Sequence, residues 1–131
     1  MRTSDAGIIA LIGHEGVVPA PYLDSVGVPT YGVGHTAAAG APDPDKLPLG
    51  MPDDLDAALV PAFEVFKRDL ERYEASVAAA IKVPVSQHEF DAAVSFHFNT
   101  GAIARASWVK SLNNGDREAA SEQIMNWSKP Q

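Results

Sequence analysis

From Phe63 to Ile81 an apolar residue returns every three or four positions: Phe63, Phe66, Leu70, Tyr73, Val77, Ile81. This is the period of an α-helix with one apolar stripe, and Lys67, Arg68, Glu71 and Glu74 fall on the opposite face. Pro61, tolerated in a first helical turn, is the expected opening of this helix. So long a stripe has to be covered by other elements, which makes a packed helical layer the centre of any fold the chain adopts. The chain has 131 residues, enough for one hydrophobic core but hardly for two, so a single domain over residues 1–131 is expected. With 46% apolar and 21% charged residues it has the balance of a folded chain.

The remaining elements follow from caps and periodicity. Ser4 can cap a short N-terminal helix that places Ile8, Leu11 and Ile12 on one face, and Gly16 suits its end. Glu15 then sits at a helix C-terminus, whose partial negative charge should raise the pKa of a carboxyl. From Val17 to His35 the helical period is lost. The strand formers Val26, Val28, Thr30, Tyr31 and Val33 alternate there with Gly27, Gly32 and Gly34, which predicts a small antiparallel sheet with a turn near Asp24–Ser25. Residues 37–54, rich in Ala, Gly, Pro and Asp, read as exposed loop. Ser86 and Glu89 form a capping-box pattern that starts a helix with Phe90, Ala93, Val94, His97 and Phe98 on its buried side and Gly101 at its end. A helix over Ser107–Leu112 stops at Asn113-Asn114-Gly115. Asp116 caps a last one that buries Ala120, Ile124 and Trp127, with Pro130 beyond it. The expected fold is α+β: an N-terminal helix and small sheet over 4–36, a loop over 37–60, and a helical lobe over 61–131. A crevice between sheet and helices is a natural place for a site.

Charge and composition exclude several functions. The net charge of −7 makes the chain a poor binder of nucleic acid or of an anionic membrane. Without cysteine it has no disulfide and no thiolate nucleophile. The start, Met1 to Asp5, is polar, and the apolar run Ile8 to Ile12 is too short for a signal-peptide core or a membrane span. Synthesis in the cytoplasm is therefore expected, with release by some other agent if the protein works outside. His14, His35, His88 and His97 lack the spacing of a zinc site, so no metal or other cofactor is expected. Gly32-x-Gly34 is not a dinucleotide fingerprint, and Ser25, Ser86 and Ser107 have no nucleophile-elbow context. His97 and Trp108 read as core side chains on helical stripes, as does Trp127.

Two carboxylates remain, Glu15 and Asp24, nine residues apart, with Thr30 six residues further on. Cleavage of a glycosidic bond needs one carboxyl that keeps its proton for the leaving oxygen and another that stays ionised to guide a water or offset charge at the sugar carbon. A hydroxyl such as Thr30 can orient that water. Residue type and spacing alone leave a second account open, in which Asp24 caps a turn and Glu15 is a solvated helix terminus.

Glu15-Gly16, together with the run from Pro21-Tyr22-Leu23-Asp24 through Thr30-Tyr31-Gly32-Val33-Gly34-His35-Thr36, resembles the active-site signature of phage-type, T4-lysozyme-like glycoside hydrolases. A second block, Val85 to Gly101, resembles the helix at the core of that family's larger lobe, and Lys110 to Trp127 is similar as well. The resemblance implies a two-lobed lysozyme-like fold and an endolysin-type muramidase, which hydrolyses the β-1,4 bond between N-acetylmuramic acid and N-acetylglucosamine in peptidoglycan. It implies that Glu15 is the general acid, that Asp24 and Thr30 position the attacking water, and that the anomeric centre inverts. It also implies that His35 is a structural group near the site, held by a carboxylate that the sequence does not name, within the Gly32-Val33-Gly34 turn. Release through a separate pore protein is a further implication, with the cell wall as the place of action. The chain stops at Gln131, where the family usually continues with a basic segment and a final helix. Its lack is expected to uncover apolar surface that favours self-association, and to remove an arginine that pairs with the catalytic Glu. Two rivals stand beside this reading. A lytic transglycosylase would use Glu15 alone, and the Asp24–Thr30 pair argues against it. A non-catalytic wall-binding or assembly module on a lysozyme fold is favoured by the short C-terminus and opposed by the intact triad.

Overall fold

The structure, a computed structural model, describes residues 1–125; Trp127 and Pro130, expected at the end of the last helix, lie outside the described residues. The elements run α1 (Asp5–Glu15), β1 (Val18–Leu23), β2 (Pro29–Gly32), two short 3-10 turns (Ala37–Ala39 and Pro44–Lys46), α2 (Leu55–Ala80), α3 (Gln87–Thr100), α4 (Ser107–Asn113) and α5 (Arg117–Met125). The architecture is the expected α+β. The chain divides into two compact units, one of Ile8–Glu71 and one of Met1–Gly7 with the chain from Arg72 onward.

In the unit Ile8–Glu71, β1 and β2 pair antiparallel, with Tyr22 opposite Thr30 and Leu23 opposite Pro29. The register slips between Val18 and Pro21, where Pro19 and Pro21 bring no N–H to the ladder. Val26 and Val28 are not in a strand. They belong to the turn that joins β1 to β2, where Gly27 takes φ +83° and its N–H donates to the Asp24 carbonyl at 3.0 Å. Local turn geometry thus overrides β-branched propensity at these two positions. The segment expected to be plain loop contains both 3-10 turns, and α2 begins at Leu55 rather than at Pro61. The Asp54 side chain accepts from Ala57 N at 3.1 Å and caps the earlier start, which leaves exposed Pro61 inside the helix. Gly32, at φ +64°, lies against α2: a Cβ there would stand 3.3 Å from the Ala62 Cβ. Leu11, Ala20, Tyr31, Val33, Ala62, Phe66 and Leu70 are the buried apolar residues of this unit.

In the other unit α3 starts with the expected capping box, in which Ser86 Oγ accepts from Glu89 N and Glu89 accepts from Ser86 N. It ends at a left-handed Gly101. Phe90, Ala93, Val94 and Phe96 are buried on it, whereas His97 and Phe98 are only half-buried. Trp108 is buried, as expected, with Phe96 edge-on at 5.1 Å. Asp116 caps α5 by accepting from Ala119 N. Glu74 does not belong to an exposed face. It is 5% exposed and accepts from Thr3 N at 2.6 Å and Arg2 Nε at 2.8 Å. Burial of this carboxylate is made tolerable by those donors, which tie the N-terminal residues to α2. Asp91 does the same on α3, accepting from the amide and hydroxyl of Ser4 and from Gln87. Ser4 in turn caps α1, its Oγ accepting from Gly7 N at 3.1 Å.

Candidate active site

Glu15, Asp24 and Thr30 all belong to the unit Ile8–Glu71. Glu15 is the last residue of α1, which ends because Gly16 turns left-handed at φ +80° while its N–H still donates to Ile12 O at 2.7 Å. The Glu15 carboxylate is exposed and has no hydrogen bond or ion pair among the described residues.

Asp24 follows β1 and organises the turn. Its Oδ1 accepts from Val26 N at 2.9 Å and from Val28 N at 2.8 Å. Its backbone N–H donates to Val28 O at 3.0 Å. One carboxylate oxygen is therefore fixed by two amides, while Oδ2 accepts nothing among the described residues. The turn-cap account and the functional account of Asp24 use different oxygens of the same group.

Thr30 is 3% exposed, and its hydroxyl donates to Val28 O at 2.8 Å. This uses its only proton and leaves its oxygen as an acceptor. Thr30 pairs across the hairpin with Tyr22, so the two side chains share a face of the sheet; Asp24, two residues beyond Tyr22, follows the same alternation. The half-buried Tyr22 links the set. Burial first, then the negative charges of Asp24 and of Glu15, hold its hydroxyl above the usual phenol range. One phenol thus senses both carboxylates and stands opposite Thr30. The sequence reading gave Tyr22 no part of its own. Its only signal was its position, two residues before Asp24 on a strand.

Behind this hairpin, Tyr31 and His35 exchange backbone hydrogen bonds at 2.7 and 3.0 Å around Gly32-Val33-Gly34. Gly32 and Gly34 take φ +64° and +71°, a left-handed conformation that costs side-chain-bearing residues energy. His35 is 1% exposed. Its Nδ1 lies 2.6 Å from Asp69 Oδ2, and its Nε2 faces the carbonyls of Pro42 at 2.8 Å and Gly40 at 3.1 Å. An imidazole protonated on both nitrogens satisfies all three acceptors. Asp69, on α2 and 8% exposed, is the carboxylate that the sequence did not name. It had a signal: position 69 falls on the apolar stripe between Phe66 and Tyr73, where an acid is out of place without a partner. The arrangement anchors the 40–42 loop and the glycine turn to α2, and Arg68, donating to Ala41 O, adds a second tie.

Chemically, the hairpin presents a carboxylate with one oxygen free, a hydroxyl oxygen able to accept from water, and a second, unfixed carboxylate sensed by the same phenol. In the other unit, His97 Nδ1 accepts from Ile103 N at 3.4 Å, and burial holds its pKa below the usual imidazole range.

Comparison with known proteins gives a consistent result. The phage lysozyme family matches residues 12–131. The chain is similar to the endolysin of Salmonella phage P22, with 34% identity over 131 residues, covering 98% of this chain and 85% of that protein. A crystal structure of a P22 lysozyme mutant superposes with a TM-score of 0.79 at 31% identity, over 100% of this chain and 86% of that one. The endolysin from Escherichia coli O157:H7 phage FAHEc1 gives 0.78 at 32%, over 100% and 79%.

Proposed function

The chain belongs to the phage lysozyme family, and from that membership we propose that it cleaves the β-1,4 glycosidic bond of peptidoglycan with Glu15 as general acid and with Asp24 and Thr30 holding the attacking water. It is an endolysin-type muramidase, a glycoside hydrolase that acts on the cell wall. The observation that carries the residue assignment is the hairpin geometry: Val26 N and Val28 N fix Asp24 Oδ1 and leave Oδ2 open, and the Thr30 hydroxyl commits its proton to Val28 O, in the same unit in which Glu15 ends α1.

In this mechanism the Glu15 carboxyl gives its proton to the glycosidic oxygen as the bond to the anomeric carbon breaks. Asp24 Oδ2 accepts a hydrogen from a water on the far side of the sugar ring, while Val26 N and Val28 N hold Oδ1 and so fix the plane of the carboxylate. Thr30 Oγ accepts the other hydrogen of that water, because its own proton is committed to Val28 O. The water oxygen then bonds to the anomeric carbon opposite the departing sugar, its proton passes to Asp24 Oδ2, and the anomeric centre inverts.

Glu15→Gln removes the proton donor at nearly constant shape. It is expected to slow clearing of purified peptidoglycan by about 10²–10⁴-fold, the usual contribution of a general acid, with the far-UV spectrum unchanged. Turnover within a few-fold of the parent would overturn the role. Mass spectrometry of the fragments tests the water: hydrolysis adds one to the reducing end, whereas an anhydro product would make Glu15 the sole acid and base and remove Asp24 and Thr30 from the chemistry.

A further inference from the structure

The unit of Met1–Gly7 with the chain from Arg72 onward contains a cavity of about 490 Å³. Ala79 and Ala80 of α2, Ile103 and Ala106 of the segment before α4, and Val109 of α4 give it an apolar floor. Its polar lining consists of Lys82, Lys110, His97, Asn113 and Ser76. Among the described residues no carboxylate lines it, in a chain that carries 17 acidic residues against 10 Lys and Arg.

The polar groups differ in what they have left to offer. Asn113 is spent on structure: its Nδ2 donates to Ala80 O at 2.9 Å and its Oδ1 accepts from Lys82 N at 2.7 Å, which clips the end of α2 to α4 and fixes two walls. Ser76 donates to Arg72 O at 3.1 Å. His97 accepts from Ile103 N through Nδ1, so in the neutral ring the proton is on Nε2, which is a donor. The exposed ammonium groups of Lys82 and Lys110 have no ion pair among the described residues. By contrast Arg2 pairs with Glu74, Lys67 with Glu64 and Arg117 with Glu89. Apart from the Ser76 oxygen, which is left as an acceptor, the unspent polar capacity at this rim is donor in kind, and two of its members carry a positive charge that no described residue pairs. Both lysines also lie near helix C-termini, where cations are favoured. That accounts for their charge but not for the volume between them or for the apolar floor.

We propose that this cavity is a binding site for a carboxylate carried on a small apolar body, as at the C-terminus of a short peptide ending in a small residue. The carboxylate sits between Lys82 and Lys110, and the apolar part rests on Ala79, Ile103 and Val109. A volume of this size falls within the range of small-ligand sites. The site shares no residue with the hairpin, so it stands or falls independently of the catalytic assignment.

The test is a titration of the full chain with N-acetylalanine, followed by amide NMR. Parallel titrations use N-acetylalaninamide, which lacks the charge, and inorganic phosphate, which lacks the apolar body. The expected result is a saturable shift of the Lys82, Ile103 and Lys110 amides with N-acetylalanine, weaker with phosphate and absent with the amide. Each of Lys82→Glu and Lys110→Glu should weaken binding by about tenfold, the scale of one charge-assisted hydrogen bond. Both positions are exposed, so the variants should fold, and an unchanged amide spectrum elsewhere verifies it. Absence of saturable shifts with any ligand, or shifts that persist in both variants, would overturn the proposal and leave the lysines as counter-charges to the helix ends. Stronger binding of phosphate than of N-acetylalanine would overturn the carboxylate-and-apolar-body assignment.

Discussion

Replacing His35 with leucine tests how the glycine turn beside the candidate site is held. His35 is 1% exposed and Asp69 8%, and their 2.6 Å contact is accompanied by hydrogen bonds to the carbonyls of Pro42 and Gly40. His35→Leu removes all three bonds and leaves the Asp69 carboxylate buried without its partner. Breaking a buried pair from one side costs about 3–5 kcal/mol, mostly because the remaining charge is uncompensated. For a chain of this length each kcal/mol lowers the melting temperature by roughly 3–4 °C, so a fall of about 10–20 °C is expected. Urea unfolding followed by tryptophan fluorescence measures the same loss as a shift in midpoint at unchanged slope. Asp69→Asn alone should also destabilise. The double variant His35→Leu, Asp69→Asn should cost less than the sum of the two singles, with a coupling of about 1–3 kcal/mol. A single-variant cost below about 1 kcal/mol, or strict additivity in the double variant, would refute the buried-pair reasoning, since exposed pairs behave that way.

Two further predictions concern acid lability and the glycine turn. Burial pushes the Asp91 carboxyl up, but the hydrogen bonds from Ser4 and Gln87 and the charge of His88 outweigh it, so its folded pKa lies below the ordinary 3.8. Such a group contributes stability that is present above the unfolded pKa and is lost as pH falls through the folded pKa. Glu89, lowered chiefly by the Ser86 amide and further by Arg117, adds to this below its ordinary 4.5. The urea midpoint should therefore decline as pH falls below about 4.5. Asp91→Asn should flatten that decline, and a parallel pH profile in the variant would remove Asp91 from the account. Gly32→Ala places a side chain at φ +64° and 3.3 Å from the Ala62 Cβ; a loss of about 1–2 kcal/mol is expected from the backbone conformation alone. Thermal melts within 1 °C of the parent would show that the turn shifts at no cost.

Much of the architecture could be read from residue order because it is local. Ser4, Ser86 and Asp116 cap their helices with atoms only three residues away, and Gly16 and Gly101 end theirs by a single dihedral angle. The stripe from Phe66 to Val77 gives α2 its buried face. Where a short-range signal meets a competing one, the structure departs from the local expectation. Pro61 looked like a helix start, yet the cap at Asp54 set the start earlier, and the turn at Gly27 drew Val26 and Val28 out of the strand.

The sequence by itself determined the local settings of Glu15, Asp24 and Thr30, since neighbours in the chain put them at a helix end, a turn and a strand. Tertiary structure alone decided the long-range pairs that hold the fold. Asp69 is 34 residues from His35, and Glu74 lies 71 from Thr3. No period or cap connects such pairs, because their attraction depends on burial, which exists only after the chain has folded. The role of Tyr22 arises in the same way. Its place opposite Thr30 comes from strand register, which exists only once β1 and β2 have paired.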